Sequence, residues 1–443
     1  MNELGLRRLD AAVLATIVIG LLAAVPSRVR AQGWLGDRDR AEGIGIRVGD
    51  LELHPGFGAE VGYDSNVFLQ DTDTQSAPIM RLTGHLNLAT LGPERRGDDG
   101  TAEGAERRDP PSVAFRGGLS ASLYHYFATD TPTNVEGDLD LRLIINPERP
   151  FSVTLFENFG RTVRPFTSPG ADNYARDENT AGVNLDFGTR GQIFKGRAGY
   201  AFNIDHFEGE DFRFGRSNAH HIDLGTSWRF LPQTAALYDL DIYATGYTNS
   251  ASSAISRSDS IHVRSRVGFN GAITNRLSLM GVAGYAAGFY DSGDEFDSVV
   301  GQLELRWQVN PGTRLAIGYD RDFFRSIMGN FHRRDRGYAN FQMLVAGSFM
   351  LALDASAGLY DFGSIVGPGG AGVGAGGDSQ RSDVRVDASL FAEYRAADWL
   401  GINATVGYIG DFTDFEFAPI TGAPTDPAKY SKLEAWGGVR LFY

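Results

Sequence analysis

The chain has 443 residues, a formal net charge of −14 at pH 7 and no cysteine. The acidic balance argues against a nucleic-acid partner, which wants a basic face, and the absence of thiols excludes a disulfide framework and thiolate metal sites. The length accommodates two average domains or one large β structure.

The first residues read as an export signal. Arg7 and Arg8 form a basic start, Ala11–Ala24 is an apolar run too short for a comfortable membrane span, and Val29-Arg30-Ala31 puts a small residue at a cut. The expectation is a secretory signal over 1–31, cleaved before Gln32. A periplasmic N-terminal segment over 32–50 follows, then a single β-barrel over 51–443. No later stretch offers the roughly 18 apolar residues of a transmembrane helix.

From Leu51 onward, apolar and polar residues alternate with the period of two that marks strands. In Leu139-Asp140-Leu141-Arg142-Leu143 the leucines face one way and the charges the other. Tyr238–Ile242, Ile261–Val267, Gln302–Val309 and Val384–Ala388 repeat the pattern with different charges. About eighteen such segments are predicted, at 51–63, 79–91, 113–125, 136–145, 151–160, 179–188, 192–206, 218–230, 236–248, 260–272, 276–289, 296–308, 312–324, 335–345, 348–360, 381–394, 399–412 and 431–443. Each has about the ten residues that cross a bilayer when tilted. The last, Leu433–Tyr443, stops on an aromatic. A terminal strand is an open edge unless it is paired, so it is expected to close the barrel against Leu51–Tyr63.

Connections alternate in length. Turns rich in Pro, Gly and Asn fall at 146–150, 189–191, 231–233, 274–275, 310–312, 346–347 and 396–398. Longer links lie at 161–178, 207–217, 249–259, 325–334, 361–380 and 413–430. Short periplasmic turns and longer extracellular loops are the outer-membrane pattern. Residues 92–112 break it: a long, charged link stands where a short turn is due, either a tolerated insertion or a docking arm for a periplasmic partner. Gly367–Gly377 is a flexible extracellular stretch expected to hang outward, the alternative being a lid folded into the mouth.

A soluble sandwich would also alternate. The strand count, the alternating links and the aromatics near strand ends favour a closed antiparallel transmembrane β-barrel of about 18 strands. Trp228, Trp307, Trp399 and Tyr443 are then girdle residues at the lipid interface. A barrel of this size encloses an aqueous lumen, lined by Asp239, Asp241, Arg264, Arg266, Glu304, Arg306, Asp320, Arg385 and Asp387, charges expected to be solvated by pore water. His220-His221 with Asp223 is too few ligands for a metal site. His262 with Ser260 lacks an acidic partner for a hydrolase triad. Neither an enzyme nor a cofactor is predicted.

Pro55-Gly56-Phe57-Gly58-Ala59-Glu60-Val61-Gly62-Tyr63-Asp64-Ser65-Asn66-Val67-Phe68 resembles the opening strand and loop of the outer-membrane β-barrel porins found with exopolysaccharide gene clusters. The resemblance implies export of an exopolysaccharide chain through the lumen, in some members with a periplasmic polysaccharide export protein. The lumen lacks the Arg/Lys excess a polyanion would want. The alternatives are a passive diffusion porin for small solutes and a structural or adhesion barrel with a plugged pore.

Overall fold

The computed structural model describes residues 43, 45–90, 112–127, 133–147, 150–163, 175–248, 255, 257–367, 369–418 and 425–443. The expected signal segment and the link over 92–111 lie outside the described residues. Eighteen long strands carry the fold: β1 Leu51–Asp64, β2 Ala77–Thr90, β3 Val113–Tyr126, β4 Asn134–Ile145, β5 Phe151–Thr162 and β6 Arg176–Gly188. β7 Phe194–Phe207, β8 Ser217–Leu231, β9 Thr234–Tyr247, β10 Ser260–Thr274, β11 Leu277–Tyr290 and β12 Phe296–Asn310 follow. β13 Thr313–Arg325, β14 Phe331–Val345, β15 Phe349–Phe362, β16 Ser382–Ala397, β17 Leu400–Phe412 and β18 Tyr430–Phe442 complete the wall.

Each strand pairs antiparallel with the next. The ring closes where β18 pairs β1, from Gly56 opposite Phe442 to Asp64 opposite Glu434. No edge remains, so the ladder satisfies its own backbone groups, as a strand structure in hydrocarbon must. A short strand, Ile46–Val48, takes up the first residues of β1 below the point where β18 ends.

One rim, here called near, holds the start of β1 and the end of β18. Among the described residues its hairpins are short, and four of them carry a register shift at the strand end. The β14–β15 turn places both Ala346 and Gly347 at positive φ, 51° and 71°, a backbone whose twist matches the flanking strands. The far rim carries the longer links. The link expected over 325–334 is shorter, because β13 and β14 run on to Arg325 and Phe331. Cross-strand pairs such as Asp322 opposite Arg334 extend that ladder.

Strand alternation sorts the side chains into two environments. On β12, Trp307, Leu305, Leu303 and Val299 face outward and are exposed by 39–62%. Asp297 follows them toward the far rim and binds the outward Tyr285 hydroxyl at 2.8 Å. Along the strand this is about ten residues, and tilt reduces it to an apolar band about 25 Å tall. Trp228, Trp307, Trp399 and Tyr443 are all outward and exposed near the near rim. At the other edge of the band Tyr319 donates to Asp335 at 2.6 Å. No helix among the described residues is long and apolar enough to cross a membrane; the strands cross it.

Candidate functional site: the lumen and its far mouth

The inner face is unevenly wet. Along the seam where β16–β18 meet β1 and β2, charges are packed away. Glu60 and Arg81 pair at 2.6 Å with side chains 0–1% exposed. The Arg81 guanidinium also lies 4.5 Å from the Trp436 ring centre, a cation–π contact. Gly62 makes that seat possible: a Cβ there would come within 2.7 Å of the Trp436 ring. Glu393 binds Arg440 at 2.8 Å and Arg395 at 3.4 Å, and both arginines lie against Phe442. Arg385 pairs with Asp411 at 2.5 Å and covers the Tyr360 ring.

A second network crosses β8–β14. His221 Nε2 lies 3.1 Å from Asp241, and its ring stacks on Tyr243 at 3.9 Å. Arg264 joins Asp241 at 2.9 Å to Asp322 at 2.6 Å, and Arg266 holds Asp239 at 2.8 Å. Asp320 receives Arg334 and Arg336, each at 2.7 Å. Tyr338 donates to Glu304, which also contacts Arg306. Asp387 lies opposite Ser356 on the same inner face.

So Asp239, Asp241, Arg264, Arg266, Glu304, Arg306, Asp320, Arg385 and Asp387 all lie on the inner face, but they are not equally wet. Glu304, Asp320 and Arg385 are more than nine-tenths buried. The expectation of freely solvated wall charges is corrected there. Buried charges are kept by pairing, and here neighbouring long side chains supply both partner and cover. The wet arc is β4–β8: Arg142 is 48% exposed, Arg197 43%, Asp186 31%, and Asp140 and Glu178 23% each.

The residues weighed as chemistry are dispersed. His220 faces outward and bonds the Tyr200 hydroxyl at 2.8 Å, while His221 faces inward. His262 sits edge-on between the rings of Tyr290 and Phe296. Among the described residues no group of three or more His, Asp or Glu is arranged to hold a metal.

The far mouth holds what sequence reading missed. Phe214, Ile255, Met328, Ile365, Phe415 and Ala428 form one buried apolar cluster, with Phe212, Ile327, Phe362, Val373 and Phe417 packed on it. Its six buried members come from five different far-rim links: 208–216, 248–259, 326–330, 363–381 and 413–429. The β7–β8 and β17–β18 links leave nearly opposite sides of the ring, so the knot spans the mouth. The Gly-rich stretch expected to hang outward is part of it. Gly374 bridges to Phe417, and the Ala418 amide donates to the Val373 carbonyl at 2.9 Å. Polar ties brace the knot: Arg257 reaches the Ser326 carbonyl and the Tyr247 hydroxyl. The Asn330 amide donates to the Ser292 carbonyl at 2.9 Å, and Asp294 accepts from the Ser364 amide at 2.8 Å.

The β13–β14 tip leans the same way. β13 parts from β12 beyond Arg321. Phe323 shares the alternation of the outward Tyr319, yet it stacks on the inward Phe296 with ring centres 4.1 Å apart. The tip is therefore folded in over the lumen. A signal for the knot was present in the sequence: large apolar residues, among them Phe212, Phe214, Ile255, Ile365, Phe415 and Phe417, stand in links otherwise rich in polar residues and glycine.

No family model matches the sequence, and no curated protein matches it in sequence. Among solved structures the fold is similar to OpdQ of Pseudomonas aeruginosa, at 9% identity and a TM-score of 0.46 over 89% of this chain and 99% of that one. It is similar to OpdK of the same organism, solved with vanillate, at 8% identity and 0.46 over 88% and 99%. It is also similar to the FrpB iron transporter of Neisseria meningitidis, at 9% identity and 0.43 over 88% and 81%. At such identities function has to be argued from the chain's own residues. By its own geometry, a closed ring of eighteen antiparallel strands with an apolar outer band and a charged lumen, the chain is a bacterial outer-membrane β-barrel.

Proposed function

We propose that the protein is an outer-membrane porin through which small water-soluble solutes diffuse along the wet arc β4–β8. In this reading the near rim is periplasmic and the far rim extracellular. The observation that carries it is the uneven lumen: a packed seam on one side, and half-exposed, paired charges on the other. A wall of that kind offers a solute many exchangeable polar contacts and no tight site. The inner residues from Asp239 to Asp387 named above act as wall positions that set the width and field of the path.

Export of an exopolysaccharide, with or without a periplasmic export protein, is the less supported reading. A sliding polymer needs the mouth clear along its whole length and throughout its passage, whereas the knot joins links from opposite sides. The test is conductance of the purified protein in planar bilayers, together with swelling of liposomes in sugars of graded size. Discrete conductance and a size cut-off support the porin. A barrel that folds but neither conducts nor admits small sugars returns the argument to a structural role. Surface polymer lost on gene deletion would restore export.

A further inference from the structure

The outward face carries a carboxylate inside the apolar band. On β5, Glu157 lies opposite Leu141 and Ala181, so it points outward with the exposed Leu155. It stands about six residues above Phe151, which pairs with Phe187 at the near edge. With the tilt of a barrel strand that is about 15 Å along the membrane normal, in a band about 25 Å tall. Asp297 and Asp335, outward carboxylates too, stand at the far edge. Glu157 accepts from the Asn179 amide at 2.7 Å, and Asn179 also faces outward, opposite Phe159. On the other flank of β6, Tyr200 of β7 is outward and exposed, its hydroxyl 2.8 Å from His220 Nδ1. Tyr200 stands about six residues above Phe194, which pairs with the girdle residue Trp228. An acceptor and a donor are thus held at about one depth on either side of β6. At that depth β6 presents Ala181 and Val183.

We propose that this face seats a second copy of the chain, related by a two-fold axis parallel to the membrane normal that passes β6 near Ala181 and Val183. Such an axis keeps every atom at its own depth and exchanges the two flanks of β6. Glu157 of each copy thereby meets the partner's Tyr200, and the contact is made twice. With His220 donating from Nδ1, the Tyr200 hydroxyl proton goes to the facing carboxylate. A carboxylate accepts several hydrogen bonds, and Asn179 supplies one from its own wall. Lipid tails supply none, which is why ionisable groups at this depth are costly and mark function. The small Ala181 side chain lets the two walls approach. The proposal needs the outer-membrane barrel and is indifferent to what passes through the lumen.

The experiment is disulfide trapping of the full chain in outer membranes, with copper phenanthroline as oxidant. The chain has no cysteine of its own, so each product reports one introduced thiol. Ala181→Cys, at the axis, should give a linked dimer several times more abundant than Val267→Cys, which is outward and exposed on β10. Should Ala181→Cys fail to fold, as judged by its mobility on gels before and after heating, Val183→Cys carries the same expectation. In lipid bilayers, photobleaching of singly labelled wild type should proceed in two steps for a large share of particles, and that share should fall severalfold in Tyr200→Phe and in Glu157→Leu. A linked product of another mass, or no excess over Val267→Cys, overturns the inference. So does a dimer that Tyr200→Phe and Glu157→Leu leave unchanged, since Glu157 and Tyr200 would then not be the contact.

Discussion

Replacing Ile365 by Ala tests whether the loop knot limits the channel. Ile365 is fully buried at the knot. Its amide donates to the Ser379 carbonyl at 2.9 Å, and its carbonyl accepts from the Val373 amide at 3.2 Å, so the substitution leaves the local backbone bonds in place. Ile→Ala in a packed core costs about 2–5 kcal/mol, least where the surroundings can collapse. Loops held at a mouth can relax, so the lower end, about 2 kcal/mol, is the working figure. At about 1.4 kcal/mol per tenfold, the ratio of tied to untied knot falls about thirtyfold. Single-channel recordings of I365A should show frequent excursions to a higher conductance than wild type reaches. Phe415→Ala, which loosens the same knot from the β17–β18 link, should do likewise; Trp399→Ala at the near rim should not. Traces of I365A and F415A that match wild type in both level and noise would show that the knot does not limit the path, and the argument from it would fail.

Three further outcomes follow from the wall. Glu60→Ala removes a carboxylate paired with Arg81 in a buried seam, so stability should fall by about 3–5 kcal/mol, read by urea titration in liposomes; Glu60→Leu with Arg81→Met should recover most of it, and equal loss in single and double variants would refute the pairing argument. Leu303→Arg, facing outward near the middle of the band, should cost about 2–4 kcal/mol and Trp399→Arg at its edge at most about 1 kcal/mol; equal costs in the same titration would place the hydrocarbon elsewhere. Outside the span, the hydrogen bond from Arg161 holds the Glu208 carboxyl below its ordinary value of 4.5. The stability it lends is complete above that ordinary value and is lost as pH falls through the lowered one. Proteolysis of the far-rim links should therefore increase on acidification in wild type and be flatter in Glu208→Gln, and identical profiles would refute the pairing.

The strands were legible because each one solves a local problem. Leu139-Asp140-Leu141-Arg142 must show one face to hydrocarbon and one to water, so a period of two is written into adjacent residues. Closure was legible from Tyr443 for the same reason: a terminal strand with one apolar face needs a partner, and β1 is free to be that partner. Which inner charges stay wet was not legible. Arg385 and Arg197 sit in similar alternating runs, yet one is covered by Tyr360 and Asp411 and the other stands half in water. Cover depends on what neighbouring strands place beside a residue, and a single strand's pattern does not contain that.

The knot was least legible, and its physics explains why. Ile365 is one apolar residue in a glycine-rich stretch, and by itself it favours no fold. Its burial exists only because Phe214, Ile255, Met328 and Phe415 arrive on four other links, each tied to a different hairpin. The barrel must close before those links can meet, since the ring alone sets which residues hang over the same mouth. An apolar residue in such a link therefore carries information only jointly with the others. The same dependence makes the knot the part of the molecule easiest to undo without harming the wall, since a loop freed at Ile365 leaves every ladder bond of β15 and β16 in place.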